Sequence, residues 1–343
     1  MTPDLVWRSI DLTVGLSAMI MALLLIGRVI EARKQRLQAL DSARGQATLQ
    51  AFMLGKDGPS VRVDLLRHAE SVVQALSVIR GLEADRLIER LRQIGLIGAM
   101  AEKLRRQGRR PDIHLIEAYA HLANPEDAQT LLQSLMRAKG ARRRQVIVEG
   151  LLRAGAAPDL PLAIELLVED GQASSVDCAL IESIAQLRPD AAEQLIEAPL
   201  EMPAAIRAAL ATGLGKTGRF SAIGPLSRTS AKEDEELSAA AAVAALGELG
   251  HPLAGGAVLQ ALYARSARIR LRACQAAAEL RLTGLIDALS ERLEDPDWDV
   301  RFAASEALVA IGSKGVTRLR HVARGTPGRA ADLARTTLQE AVA

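Results

Sequence analysis

The stretch Asp295 to Gly312 reads DPDWDVRFAASEALVAIG. Its alanines recur upstream at a fixed interval. Ala304, Ala307 and Gly312 are answered 31 residues earlier by Ala273, Ala276 and Arg281, and 31 residues before that by Ala242, Ala245 and Gly250. Self-similarity at a period of thirty-odd residues is the mark of a stacked array, in which each unit buries its apolar face only against its neighbours. Within the unit, Asp295–Pro296–Asp297 predicts a tight turn, and Asp297 or Asp299 can cap the helix that follows. Val300 is expected in the core. Arg301 falls in the first turn of that helix, where the dipole alone disfavours a cation. Gly312 ends the helix where a left-handed residue is wanted.

The pair Val300–Arg301 sets a frame that reaches back along the chain. Its equivalents are Ile269–Arg270, Ser238–Ala239, Ile206–Arg207, Val176–Asp177 and Arg143–Arg144, at spacings of 31, 31, 32, 30 and 33. Forward, Ala330–Ala331 repeats it 30 residues on without the valine and arginine, as a capping unit would. Between Val61 and Ala141 the period blurs. There Leu87 to Met100 and Ile113 to Leu122 still read as amphipathic helices.

These units resemble HEAT repeats, in particular the short kind of the bilin-lyase-like group. That family pairs a first helix with a turn of the type D-x-[DN]-x-x-V-R and a second helix of the type A-x-x-A-L-x-x-[IL]-G. Asp295, Asp297, Val300, Arg301, Ala304, Ala307, Leu308, Ile311 and Gly312 fall on this pattern. The resemblance implies an all-α chain, an α-solenoid of stacked helical hairpins. It implies that Arg301 pairs with a turn aspartate, its own or a neighbour's. Residues 61–343 are assigned to this solenoid, as about eight units with the last a cap.

Composition agrees with helices. Of 343 residues, 49% are hydrophobic but only seven are aromatic, so the core must be built from Ala, Leu, Ile and Val. With 43 basic and 41 acidic residues, the balance gives no reason to expect a polyanionic partner over the whole surface. Cys178 and Cys274 sit 96 residues apart inside apolar helical patterns, as small core residues of a reducing compartment do.

Ahead of the array, Leu12 to Gly27 reads LTVGLSAMIMALLLIG, sixteen residues without a charge. Trp7 and the stem of Arg28 extend it toward the ~20 residues of a spanning helix. A signal peptide would carry its basic residues before the apolar run and a small-residue cleavage site after it. Here Arg28, Arg33, Lys34 and Arg36 follow the run. A buried core helix is the other reading of so short a segment. We read residues 1–30 as an uncleaved anchor with a single transmembrane helix over about 9–30. The downstream cations place the N-terminus outside and the solenoid in the cytoplasm, at the inner membrane. They also suit anionic headgroups, which would make a lipid-surface sensor. Residues 31–60 form a juxtamembrane helix and a linker broken at GKDGPS, Gly55 to Ser60.

Chemistry-bearing motifs do not withstand inspection. Gly213 to Gly218, GLGKTG, lacks the first glycine of a phosphate loop, since Leu210 stands there, and it closes a helix rather than following a strand. His114 and His121 share a helix face without a third ligand nearby. The His-Glu dipeptides of HEAT-like metal hydroxylases are missing. No catalytic residue, cofactor or metal is assigned.

The function expected is that of a non-enzymatic, membrane-tethered scaffold that binds a cytoplasmic or integral-membrane protein, within an envelope assembly for polysaccharide or secretion. A bilin-lyase-like enzyme or chaperone is the alternative. Candidate partner-binding residues are Trp298 in the Asp-rich turn, Phe302, Ser305, Glu306 and Val309 along the helix Arg301 to Ile311, and Arg142, Arg143 and Arg144 in an earlier turn. Arg105, Arg106, Arg109 and Arg110 form another basic cluster. With so few aromatics to stack bases, nothing points to nucleic acid, and nothing points to a small-molecule substrate. The run Glu233 to Glu236 reads as acid at a helix start.

Overall fold

The computed structural model describes residues 21, 28, 40, 42–56, 59–156, 158–168, 172–198 and 202–341. The regular secondary structure of these residues is helical. Among them no strand forms, and the nearest approach is a one-residue bridge at Gln172. They fall into two compact units, one up to Ala123 and one from Asn124.

The first unit contains α1 (described over residues 42–53), α2 (Pro59–Arg67), α3 (Ala69–Val78), α4 (Leu82–Gln93), α5 (Leu96–Gln107) and α6 (Ile113–Leu122). Its core consists of large side chains, among them Phe52, Leu65, Leu91, Leu96, Met100, Leu104, Leu115 and Ile116, all fully buried. Arg90 lies over the Phe52 ring at 4.4 Å and donates to the Phe52 carbonyl at 2.7 Å, so a cation closes the end of α1. The expected helix Ile113 to Leu122 is α6. The expected helix Leu87 to Met100 is instead two, α4 and α5, because Gly95 adopts φ +71° and breaks the ladder between them.

The second unit is a solenoid of seven hairpins among the described residues. They are α7 (Pro125–Leu135) with α8 (Ala141–Arg153), α9 (Leu160–Leu167) with α10 (Ser175–Leu187), α11 (Pro189–Glu197) with α12 (Ala204–Gly215), α13 (Ile223–Ser230) with α14 (Glu236–Glu248), α15 (Gly255–Ala261) with α16 (Ala267–Leu280), α17 (Ile286–Arg292) with α18 (Trp298–Ile311), and α19 (Ser313–Ala323) with α20 (Arg329–Glu340). Second helices pack on second helices in a continuous row from α8 to α20.

The repeat frame lands on the third residue of these second helices. Val300, Ile269, Ser238 and Ile206 are all fully buried there. At α10 the frame slips by one. Val176 is 44% exposed, and Asp177 takes the buried position. It does so because Asp177 closes a capping box with Ser174 and accepts from the Gln145 side chain at 2.9 Å, which gives a buried carboxylate its partners.

The row is close-packed because its facing residues are small. A Cβ at Gly213 would lie 2.6 Å from the Glu182 carbonyl oxygen, one at Gly215 2.8 Å from the Ala245 Cα, and one at Gly247 2.7 Å from the Ala276 Cα. GLGKTG is therefore the end of α12 packed between its neighbours. Gly218 follows with φ +67°, and Lys216 Nζ reaches Glu182 at 2.5 Å. Gly250 and Gly312 also have positive φ where α14 and α18 end. At the end of α16 that place is held by Arg281, with φ 50° and ψ 32°, the one left-handed non-glycine among the described residues.

Among the described residues no helix is long and apolar enough to cross a membrane. The expected span Leu12 to Gly27, apart from Met21, lies outside the described residues, as do Arg33, Lys34 and Arg36.

Candidate functional site: an aromatic groove between α18 and α20

Asp297 starts α18 by accepting from the amides of Asp299 at 2.9 Å and Val300 at 3.2 Å. That cap fixes the first turn and sets Trp298 outward, 57% exposed. Four residues on, Phe302 lies on the same helix face. The two rings stack in parallel, 5.2 Å between centroids and 8° between planes. Beside them a groove of about 670 Å³ runs between α18 and α20. Trp298, Phe302 and Leu333 supply apolar lining, Thr336 and Thr337 hydroxyls, and Arg301, Arg329, Asp332 and Glu340 charge.

Arg301 does not pair with a turn aspartate. Its Nη1 donates to the carbonyls of Asp295 at 2.7 Å and Pro296 at 3.0 Å, in the turn before its own helix. Its equivalents act likewise. Arg270 Nη1 donates to the Ala264 and Arg265 carbonyls, and Arg207 Nη1 to Ile196 at the end of α11. At the start of α12, α16 and α18 a guanidinium thus sits against carbonyls that end or follow the first helix of the hairpin. Their negative polarity offsets the unfavourable helix N-terminus.

The buried aspartate pairing falls one hairpin earlier. Arg270, not Arg301, grips Asp295 in a bidentate contact, 2.7 and 2.8 Å, with both side chains almost wholly enclosed. Arg207 makes the corresponding forward pair with Glu235 at 2.9 Å. Burial pushes the Asp295 carboxyl up, but Arg270, the Asp297 amide and Arg292 outweigh it and hold it below the usual carboxylate range. The acidic run Glu233 to Glu236 is absorbed in the same way, with Glu235 on Arg207 and Glu233 accepting from the Arg265 amide.

Of the expected binding residues, the groove gathers Trp298 and Phe302. Ser305 is a correction. It is fully buried, donates to the Phe302 carbonyl at 2.8 Å and accepts from Thr337 at 3.0 Å, so it ties α18 to α20 and offers nothing to a partner. Glu306 is exposed and Val309 half-buried, but neither lines the groove. The arginines of α8 are used locally. Arg142 pairs with Glu149 at 3.6 Å, Arg143 donates to the Lys139 carbonyl, and Arg144 donates to the Leu166 carbonyl at 2.7 Å, capping α9. Leu333, Thr336 and Arg329 escaped the sequence reading because α20 lacks the repeat signature.

Elsewhere, Cys274 is fully enclosed and burial pushes its thiol up to about 12, so the core assignment holds. Cys178 is only half-buried, its thiol raised by burial and by Asp177. His114 lies 3.6 Å from Glu117. Among the described residues no group of three His, Cys, Asp or Glu could hold a metal ion.

With this geometry in hand, comparison with known proteins places the class. Residues 256–341, which include α16 to α20 and the groove, match the family model for HEAT repeats. This part of the chain carries HEAT repeats. No curated protein matches the chain. Among solved structures, it is similar to an engineered protein at 16% identity, over 88% of this chain and 95% of the other, with a TM-score of 0.40. It is also similar to human deoxyhypusine hydroxylase in complex with glycerol at 14% identity, over 82% and 98%, with a TM-score of 0.31. Likeness at these scores carries neither activity nor ligand to this chain.

Proposed function

We propose that the chain is a scaffold that binds a protein partner through the groove beside Trp298 and is tethered by its N-terminus to a membrane. The observation that supports this is the stack of exposed Trp298 on half-buried Phe302 at the edge of a groove of about 670 Å³. Tryptophan in such a position is the side chain most enriched at interface hot spots. The occupant we infer is a helical or extended segment that seats one apolar side chain against the two rings and sets polar groups against Arg301 and Asp332.

The tether is the run Leu12 to Gly27 with its following cations. It crosses the inner membrane of a bacterium once, with the N-terminus outside and the repeats in the cytoplasm. Tethering raises the local concentration of the groove near membrane partners, so a weak contact suffices. The setting we infer is an envelope assembly, for polysaccharide or secretion. No observation favours the bilin-lyase-like alternative.

The test is crosslinking in native membranes followed by mass spectrometry, on wild type and on W298A/F302A. One stoichiometric partner, lost in the double variant while the protein stays in the membrane fraction, is the expected result. A protein that washes off with alkaline carbonate and crosslinks to nothing overturns the reading.

A further inference from the structure

We propose a second binding surface: the exposed face of α19, with the groove it forms against α17, takes an acidic segment of a partner protein carrying several Asp or Glu residues in succession. Residues 313–329 read SKGVTRLRHVARGTPGR. They hold Lys314, Arg318, Arg320, Arg324 and Arg329 without one Asp or Glu. Five cations over about three turns and a loop repel one another, and a polyanion relieves that repulsion.

The rest of the first-helix row shows how this chain ordinarily treats such charges. Arg228 on α13 is paired with Glu197 on α11, one hairpin back. Arg318 on α19 follows the same rule with Asp287 on α17. Lys314, Arg320 and Arg324 are exposed, and none has an acidic partner among the described residues.

The shape fits a peptide. A groove of about 510 Å³ runs between the two helices, with Ile286 and Asp287 on one side and Lys314, Thr317, Arg318 and His321 on the other. The Thr317 hydroxyl already donates to the Ser313 carbonyl, so the cations are the donors on offer. Against a bilayer, α19 presents no large exposed apolar side chain to insert. Leu319 is buried, and Val316 and Val322 are half-buried. Asp287 is 81% exposed and occupies the place an incoming carboxylate would take on Arg318. It therefore acts as an internal competitor, which gives the proposal a variant that should strengthen binding.

The probe is a fluorescein-labelled peptide of ten glutamates, followed by anisotropy on the full chain in mild detergent. Binding is expected at low salt and should fade as the salt rises to about 0.3 M, where screening acts within about 6 Å. K314A/R320A/R324A should weaken it about tenfold, three exposed charges each of modest effect. D287N should tighten it severalfold. R105A/R109A/R110A removes the same charge from the first unit and should leave it unchanged. All these positions are at the surface, so unchanged melting curves confirm the fold. If the α19 triple binds like wild type, or if the control triple weakens binding as much, the proposal fails. It also fails if vesicles of phosphatidylglycerol bind in an α19-dependent way while the peptide does not.

Discussion

Two regions of this chain make helix contacts by opposite means. In the first unit, α3, α5 and α6 meet through Val72, Met100, Leu104, Leu115 and Ile116. In the second, α12, α14, α16 and α18 meet through Ala211, Ala242, Ala245, Ala276 and Ala307, with Gly213, Gly215 and Gly247 at the tightest points. Large side chains fill a gap in many ways, and volume-conserving exchanges cost little. A backbone held within van der Waals reach of its neighbour admits only Gly or Ala. The repeat is therefore sharp where helices touch backbone to backbone, and blurred where side chains keep them apart.

Substitutions can break this comparison. Ala304→Asp should cost about 4 kcal/mol or more, because it puts an unpaired charge in the tight row. A melting curve like wild type would refute the close packing of α16 on α18. Asp295→Asn should cost about 3 kcal/mol near neutral pH by stranding the enclosed Arg270 guanidinium. The folded carboxyl titrates below its unfolded value. Its contribution is thus full above the ordinary carboxylate range and disappears as the pH falls through the lower folded pKa. The gap between wild type and Asp295→Asn in urea titrations should persist through the ordinary carboxylate range near about pH 4 and close only below it. In the first unit the comparable loss needs a large side chain removed, and Leu104→Ala should cost about 3 kcal/mol through the cavity it leaves.

The sharpest contrast uses one exchange at two sites. Gly247→Ala brings a Cβ within 2.7 Å of the Ala276 Cα and should destabilise by about 2 kcal/mol. Gly98→Ala, in α5 with open space around it, should stabilise by about 0.8 kcal/mol through helix propensity. Changes of the same sign would erase the distinction between the regions. The smallest effect is expected at Arg281. Arg281→Gly relieves a left-handed residue but frees the unfolded chain, and should raise stability by only about 0.5 kcal/mol.

The same distinction explains what could be read from the sequence. The hairpins from α11 onward were legible because their alanines and glycines recur as backbone contacts require. The break at Gly95 was not, since one glycine inside an amphipathic pattern does not announce its φ. Nor was the slip at Asp177, where hydrogen bonds let a carboxylate occupy a place reserved for valine. Trp298 was singled out by residue type and Phe302 by its place on a second helix, and their stacking was not foreseen. Ser305 was misjudged because burial at that position depends on Thr337, in a helix whose own pattern is faint. The basic face of α19 left a plain trace, an acid-free run of seventeen residues, but only the missing partners give it meaning.

The forward pairs Arg207–Glu235 and Arg270–Asp295 give the array a direction. In each pair an arginine of one hairpin is the plug and a carboxylate of the next hairpin is its socket, α11/α12 into α13/α14 and α15/α16 into α17/α18. A duplication or deletion strands neither partner only if it takes a plug-bearing hairpin together with the socket-bearing one after it, so the length of this stretch changes from within in steps of two hairpins. Arg301 meets no carboxylate ahead and folds back onto its own turn. Arg301 is thus a plug without a socket, and an acidic residue placed in the turn that now reads Arg324 to Gly328 would supply one.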